Sequence, residues 1–120
     1  MKIRLMGDSI RLRLTQEEVA ALAEGSAVES VTQFAGEALT SIVEPVELRF
    51  EAHYAVGHIT VMVPQHLVKA WAATDEEGLY QDQSVPGGSL QISVEKDFAC
   101  LHKPESPENA GTFPNPGAKK

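Results

Sequence analysis

Alternation of apolar and polar residues recurs along the chain, and this pattern constrains the fold more than any other feature. In residues 90–95, the apolar side chains of Leu90, Ile92 and Val94 alternate with polar ones. A period of two residues is typical of a β-strand that buries one face. Similar alternation on both sides of short turns predicts β-hairpins. The sequence therefore predicts an α+β fold with an antiparallel sheet built from hairpins and two short helices.

Three turns set the strand pairing that we expect. They lie at residues 7–8, 36–37 and 56–57, and each is short and contains glycine. We expect the third hairpin to begin at Val46, because Pro45 interrupts the preceding run. The predicted pairs are Leu5 with Ile10, Ile3 with Leu12, Phe34 with Leu39, Val31 with Ile42, Tyr54 with Ile59, Ala52 with Val61 and Phe50 with Val63.

Two segments have helical rather than strand-like spacing. Thr15 and Glu18 have the spacing of a capping box, and Gly25 suits the position just past the helix end. Pro64 suits the start of a second helix, where its missing N–H costs little, and Gly78 would end that segment. The apolar residues at helical spacing, which we expect to pack in the core, are Val19, Leu22, Leu67, Val68, Trp71 and Ala72.

The chain length predicts one domain. A chain of 120 residues matches a single domain of ordinary size. We expect this α+β domain to span residues 1–102 and an irregular, proline-rich tail to span residues 103–120, in which four of the seven prolines lie. Within that tail, Phe113 is a candidate anchor that packs back on the domain. No internal repeat is evident in the sequence.

Charge and composition exclude several classes of function. The formal net charge is −7, which disfavours binding to nucleic acid or to anionic lipid. No apolar run is long enough to span a membrane, and the start resembles no signal peptide. The single cysteine cannot form an intramolecular disulfide. No glycine motif for phosphate binding occurs. These features together predict a soluble cytoplasmic protein.

Basic residues cluster on one side of the first predicted hairpin. Lys2, Arg4, Arg11 and Arg13 alternate there with apolar residues, so they would share one face. Like charges on facing strands are unfavourable unless acidic groups compensate them. One interpretation is compensation by nearby carboxylates such as Glu47 and Glu51, or by Glu95 and Asp97 if the last strand lies beside the first. The other is an anionic ligand or partner.

The end of the last strand carries the residues best suited to chemistry. Cys100 and His102 would point to the same side of a strand and could ligate one zinc ion, with Asp97 as a third candidate. None of these residues has a recognised metal-ligand spacing. Cys100 also shares its parity with Val94, so it could instead be a small buried core residue. Lys96 shares that parity too and lies at the rim of the core or beyond the regular strand.

Three stretches resemble a family of small uncharacterised bacterial proteins. They are SIRLRLT at residues 9–15, EKDFACL at residues 95–101 and FPNP at residues 113–116. The resemblance covers nearly the full length and implies a stand-alone bacterial cytosolic protein, without implying a mechanism. It points to Arg11, Arg13, Lys96, Asp97, Phe98 and Cys100, whereas His102 lies outside the pattern.

Two classes of function remain open. The first is a non-enzymatic binding or protein-interaction module, with a protein partner or a homo-oligomer, and the sequence favours it because no catalytic constellation is complete. Its candidate binding residues are Arg4, Arg11, Arg13, Lys96 and Phe113. The alternative is a metal-binding or thiol-dependent activity built on Cys100, His102 and Asp97, with zinc as the candidate cofactor.

Overall fold

The computed structural model describes residues 1–98 and 111–114, and it confirms the α+β class. Eight strands and two helices lie in the described residues. The elements of the first half are β1 (Lys2–Leu5), β2 (Ser9–Leu14), α1 (Gln16–Ala23), β3 (Val28–Gln33) and β4 (Ala38–Val46). Those of the second half are β5 (Glu51–Ala55), β6 (His58–Pro64), α2 (Gln65–Ala72), β7 (Gly78–Val85) and β8 (Gly88–Lys96).

The strands form two four-stranded sheets. The first sheet has the order β1-β2-β8-β7 and the second has the order β3-β4-β6-β5. Each sheet consists of two antiparallel hairpins joined through a central parallel pair, β2 with β8 or β4 with β6. The prevalence of antiparallel pairing agrees with the sequence analysis. The expectation of a single, wholly antiparallel sheet was wrong. Pairing between distant hairpins leaves no local signal in the sequence, so the parallel pairs could not be predicted.

The first and third predicted hairpins have the expected register. Leu5 pairs with Ile10 and Ile3 with Leu12 across the first turn. Across the third turn, Tyr54 pairs with Ile59 and Ala52 with Val61. The turn residues explain this agreement, since Gly7 and Gly57 adopt the positive φ angles that these tight turns require.

Two predictions about strands 3 to 5 were wrong. Leu39 pairs with Thr32 rather than with Phe34, and Val31 pairs with Thr40 rather than with Ile42, because Gly36 lies at the second turn position and not the first. Val46 ends β4 rather than starting a strand, and β5 begins only at Glu51, so the predicted pair of Phe50 with Val63 does not form. Pro45 therefore lies inside β4. It is tolerated there because the pairing of β3 with β4 reaches no further than Val43. No strand therefore lies beside Pro45 on the β3 side of β4.

The first helix begins and ends at the predicted residues. Thr15 and Glu18 form the reciprocal capping box, with Glu18 Oε1 accepting from the Thr15 N–H at 2.9 Å. At the other end, Gly25 has a φ of 99° and donates to the Leu22 carbonyl, while Ser26 donates to Ala21. These two bonds form a Schellman motif, which ends the helix.

The second helix is shorter than predicted. Pro64 is its N-cap residue, but the helix ends at Ala72 rather than at Gly78, which starts β7. The Thr74 hydroxyl donates to the Ala70 carbonyl and accepts from the Glu76 N–H, so side-chain bonds replace those of the helix beyond this point. Val68 and Trp71 are fully buried, as expected for core residues.

The two halves of the chain repeat one arrangement, which the sequence analysis missed. Each half runs through a hairpin, a helix and a second hairpin, and each sheet combines one hairpin from each half in the same order. We call two residues counterparts when they hold the same position in corresponding elements of the two halves. The buried counterparts are Ile10 and Ile59, Leu12 and Val61, Leu14 and Val63, Val19 and Val68, Leu22 and Trp71, Val28 and Leu79, and Val43 and Val94. Together they form most of the single core between the sheets.

Candidate functional site

The outward surface of the first sheet carries the basic cluster. We call the surface of Lys2, Arg4, Arg11 and Arg13 the basic face. These residues alternate with inward-pointing neighbours such as Leu12, which has no exposed surface. Lys2 pairs with Arg13 and Arg4 with Arg11 across the hairpin, so like charges oppose one another on neighbouring strands. Such a surface needs acidic groups or an anionic partner beside it.

Two carboxylates at the end of β8 compensate part of this charge. The parallel pairing of β8 with β2 places Glu95 beside Arg13. Glu95 Oε1 lies 3.4 Å from Arg11 Nε and 3.8 Å from Arg13 Nε, and Asp97 Oδ2 lies 2.8 Å from Lys2 Nζ. The hypothesis that carboxylates of the last strand compensate the basic face is therefore confirmed in part, since they pair with Lys2, Arg11 and Arg13.

Glu51, one of the two other carboxylates that were expected to compensate the basic face, has different partners. Its Oε1 lies 3.2 Å from Arg49 Nη1 and 3.3 Å from His53 Nε2. Glu51 belongs to the second sheet, which explains this difference. The structure records no ion pair between Glu47 and the basic face within the described residues. Compensation of the basic face thus comes from the end of β8 and not from Glu47 or Glu51.

Tyr80 completes the surroundings of Glu95, and the sequence analysis overlooked it. Its hydroxyl donates to Glu95 Oε2 at 2.8 Å. The pKa of Tyr80 is raised to about 12, mainly by burial and then by the hydrogen bond to Glu95 and the charges of Glu95 and Glu77, against a lowering by Arg11. Tyr80 lies on the outward side of β7, in register with Ser93. The outward parity of β7 is the sequence signal that could have indicated its place.

Arg4 is the least compensated member of the basic face. The contact that the structure gives for its guanidinium is Nη2 to the Met6 sulfur at 3.7 Å, and no carboxylate within the described residues pairs with it. Arg4 and Arg11 line a shallow depression of about 170 Å³ that also includes Ser9 and Ser93. The basic face therefore offers two guanidinium groups and two hydroxyl groups around one concavity.

Lys96 contributes no exposed charge to this surface. It is 6% exposed, and its Nζ donates to the Thr74 carbonyl at 2.6 Å beyond the C-terminus of α2. The same ammonium group lies 5.4 Å from the centre of the Phe113 ring. A cation near helix C-terminal carbonyls and an aromatic ring is a stabilising arrangement. These contacts give Lys96 a structural role in this sheet end.

Phe113 packs against the domain, as the sequence analysis expected of an anchor. Its N–H donates to the Asp97 carbonyl at 2.7 Å, and its ring centre lies 6.1 Å from that of Phe98. The preceding Gly111 carbonyl accepts from the Gln16 N–H at 3.0 Å, at the first turn of α1. Residues 111–114 therefore connect the end of β8 with the start of α1. The boundary predicted at residue 102 remains a prediction.

The proposed metal site can be followed only in part. Asp97 is buried, ion-paired with Lys2, and bonded through its backbone to Leu14 and Phe113. Cys100 and His102 lie outside the described residues, so the metal or thiol hypothesis stays a prediction. Within residues 1–98 and 111–114, no three His, Asp or Glu side chains lie close enough to hold a metal ion.

Neither helix of the described chain is long and apolar enough to cross a membrane. The fold and the basic face define a small α+β domain made of two hairpin sheets and two connecting helices, with an uneven charge distribution. The sequence model of DUF7009, a protein family of unknown function, matches residues 1–117. The chain therefore belongs to this family. We found no curated protein with significant similarity to the sequence.

Proposed function

We propose that the chain is a non-enzymatic protein-interaction module that binds acidic protein segments through its basic face. The observation that carries this proposal is the charge balance of that face. Four cations lie on it, whereas Glu95 and Asp97 are the carboxylates that pair with them within the described residues. This local excess of positive charge lies on a chain whose formal net charge is −7.

The energetics of the face favour an anionic partner. Arg4 faces Arg11 on the neighbouring strand, and one carboxylate, Glu95, serves both Arg11 and Arg13. A bound carboxylate could accept two parallel hydrogen bonds from a guanidinium group, which is the favoured geometry for such pairs. The partner is either another protein or a second copy of this acidic chain. The family resemblance adds the proposal that the protein acts in the bacterial cytosol.

A peptide titration tests this proposal. We expect hexaglutamate to shift the amide resonances of β1 and β2 in NMR spectra, and to bind more weakly as salt concentration rises, because exposed charges are screened. Arg4→Glu should abolish these shifts, and it removes no ion pair recorded among the described residues. Lys69→Glu is the matched control, because this exposed lysine lies on α2.

Three outcomes would contradict the proposal. The first is the absence of salt-dependent shifts on β1 and β2. The second is unchanged binding in Arg4→Glu, and the third is tighter binding of a single-stranded oligonucleotide than of hexaglutamate. Sedimentation of the wild-type chain separates the two kinds of partner, since self-association that Arg4→Glu abolishes would identify a second copy.

A further inference from the structure

The backbone of β1 presents unpaired peptide groups at the edge of the first sheet. Met6 and Ser9 exchange both of their backbone hydrogen bonds across the turn, each at 3.1 Å. Hydrogen-bonded pairs alternate along an antiparallel ladder, so Arg4 also bonds to β2. The N–H and C=O groups of Ile3 and Leu5 therefore point away from β2. No described strand lies on that side.

The second half of the molecule shows what such an edge binds. Ala52 in β5 is the counterpart of Ile3, since each precedes its hairpin turn at the same register position. Gln83 Oε1 accepts from the Ala52 N–H at 2.6 Å, and Gln83 Nε2 donates to the Ala52 carbonyl at 3.1 Å. A primary amide offers one donor and one acceptor side by side, as the backbone of a neighbouring strand does. The Gln83 side chain thus occupies the edge of β5.

The first half lacks this side-chain bridge. The counterpart of Gln83 is Thr32, because Thr32 pairs with Leu39 as Gln83 pairs with Leu90. The shorter Thr32 side chain makes no recorded hydrogen bond to β1. The described residues therefore satisfy the outward peptide group of Ala52 and leave that of Ile3 open to a partner. An unpaired edge strand of this kind is a ready template for pairing with another chain.

The two sides of β1 differ in chemistry. On one side, Lys2 and Arg4 belong to the basic face. On the other side, Leu5 is 62% exposed and lines an apolar cleft of about 420 Å³ between the two sheets. The cleft opens at the hairpin turns, and its walls also include Ile10, Leu39, Tyr54, Ile59 and Leu90.

We propose that β1 accepts an extended peptide segment as an added strand, and that this segment alternates acidic and apolar residues. Successive side chains of a strand point to opposite faces, so acidic residues would reach the Arg4 side while apolar residues would enter the cleft beside Leu5. Main-chain bonds to Ile3 and Leu5 would provide affinity, and the two faces would provide specificity. This inference rests on the proposed function of the basic face and adds the form of its partner.

Comparison of two peptides of identical composition tests the strand addition. One alternates glutamate and valine over eight residues, and the other carries the glutamates and valines in two blocks. We expect the alternating peptide to bind at least about tenfold more tightly in an NMR titration, because it alone can satisfy both faces and the edge. Hydrogen exchange at the Ile3 and Leu5 amides should slow in that complex. Equal affinities, or unchanged exchange at these amides, would overturn the inference.

Variants at Leu5 separate the backbone contribution from the side chain. Leu5→Pro removes an outward N–H that takes no part in the pairing with β2, so we expect the preference for the alternating peptide to disappear. Leu5→Ala keeps this N–H and is the matched control, for which part of the preference should remain. If Leu5→Pro does not fold, an alternating peptide N-methylated at every second residue replaces it and should lose binding to the wild-type chain.

The outcomes distinguish failure of this inference from failure of the proposed function. If both peptides bind equally and Arg4→Glu weakens both, strand addition is overturned and the basic face still binds acidic segments. If neither peptide binds, both proposals are overturned. Unchanged discrimination between the peptides in Leu5→Pro would also overturn strand addition, because the edge amide would then be irrelevant to binding.

Discussion

The two halves of the molecule match inside the core and differ on the outside. Residues 2–46 and 51–96 place buried apolar residues at the same positions of the same elements. Leu22 of α1 and Trp71 of α2, for example, are both fully buried counterparts. On the outward faces, by contrast, the lysine and arginines of the basic face have no lysine or arginine counterparts. The counterparts of Lys2, Arg4, Arg11 and Arg13 are Glu51, His53, Thr60 and Met62.

This difference separates what the fold requires from what it does not. A sandwich of two hairpin sheets needs apolar residues at the matched inward positions, because the two inner faces form the core. The same architecture tolerates quite different outward residues, as the second sheet demonstrates. The basic face and the open edge of β1 are therefore not explained by folding requirements. They are the places where we expect binding to occur.

The largest effect on stability should come from truncating the side chain of Leu22 or of Trp71, the fully buried counterparts in the two helices. Trp71→Ala should lower the free energy of unfolding by about 3–5 kcal/mol, and Leu22→Ala by about 2–5 kcal/mol, through lost burial and the remaining cavity. Because both halves contribute to one core, each variant should still unfold in a single transition in urea. Leu48→Ala is the control, since Leu48 is 76% exposed. Separate transitions for the two halves would contradict the shared core.

A smaller effect should distinguish the counterpart carboxylates Glu95 and Glu44. Glu95→Gln weakens contacts with Arg11, Arg13 and Tyr80, and it should cost about 1–3 kcal/mol of unfolding free energy. Glu44→Gln is the control, because Glu44 is exposed and lies beside Met62 instead of an arginine. Its effect should stay within about 0.5 kcal/mol. Similar losses for both variants would show that the arginine contacts of Glu95 do not contribute to the free energy of unfolding.

The same variant has a signature in the alkaline titration of Tyr80. Burial and Glu95 raise the pKa of Tyr80 to about 12, so Glu95→Gln should move it back toward 10 while burial keeps part of the rise. A raised pKa stabilises the folded state below pH 10, and this stability is lost as the pH rises toward 12. Tyrosinate absorbance in a Tyr54→Phe background reports on Tyr80. An unchanged titration midpoint would contradict the role of Glu95.

Local signals account for what the sequence predicted correctly. The registers of the first and third hairpins follow from their turns, and the capping box of Thr15 and Glu18 sets the start of α1. The pairing of distant strands has no such signal, so neither the two sheets nor their central parallel pairs were predicted. The internal repeat was hidden because counterparts such as Leu22 and Trp71 share burial but not residue type.

The candidate site was predicted in part for the same reason. Alternation placed Lys2, Arg4, Arg11 and Arg13 on one face, which the structure bears out. The compensating role of Glu95 and Asp97 was proposed on the condition that the last strand lay beside the first; β8 instead lies beside β2, the second strand of the first hairpin, which still brings both carboxylates to the basic face. The open edge of β1 could not be inferred from sequence, because it depends on a bridge between β7 and β5 that joins residues far apart in the chain.

The smallest effect should distinguish the two edges of the sandwich. Gln83→Ala removes both side-chain bonds to Ala52 and should cost about 1–2 kcal/mol, because the outward peptide group of this buried residue loses its partner. Thr32→Ala, at the counterpart position, should change the free energy of unfolding by less than about 0.5 kcal/mol. Hydrogen exchange at the Ala52 amide should accelerate only in Gln83→Ala. If Thr32→Ala were as costly as Gln83→Ala, the β1 edge would already be satisfied within the fold, and the reason for expecting a peptide there would be lost.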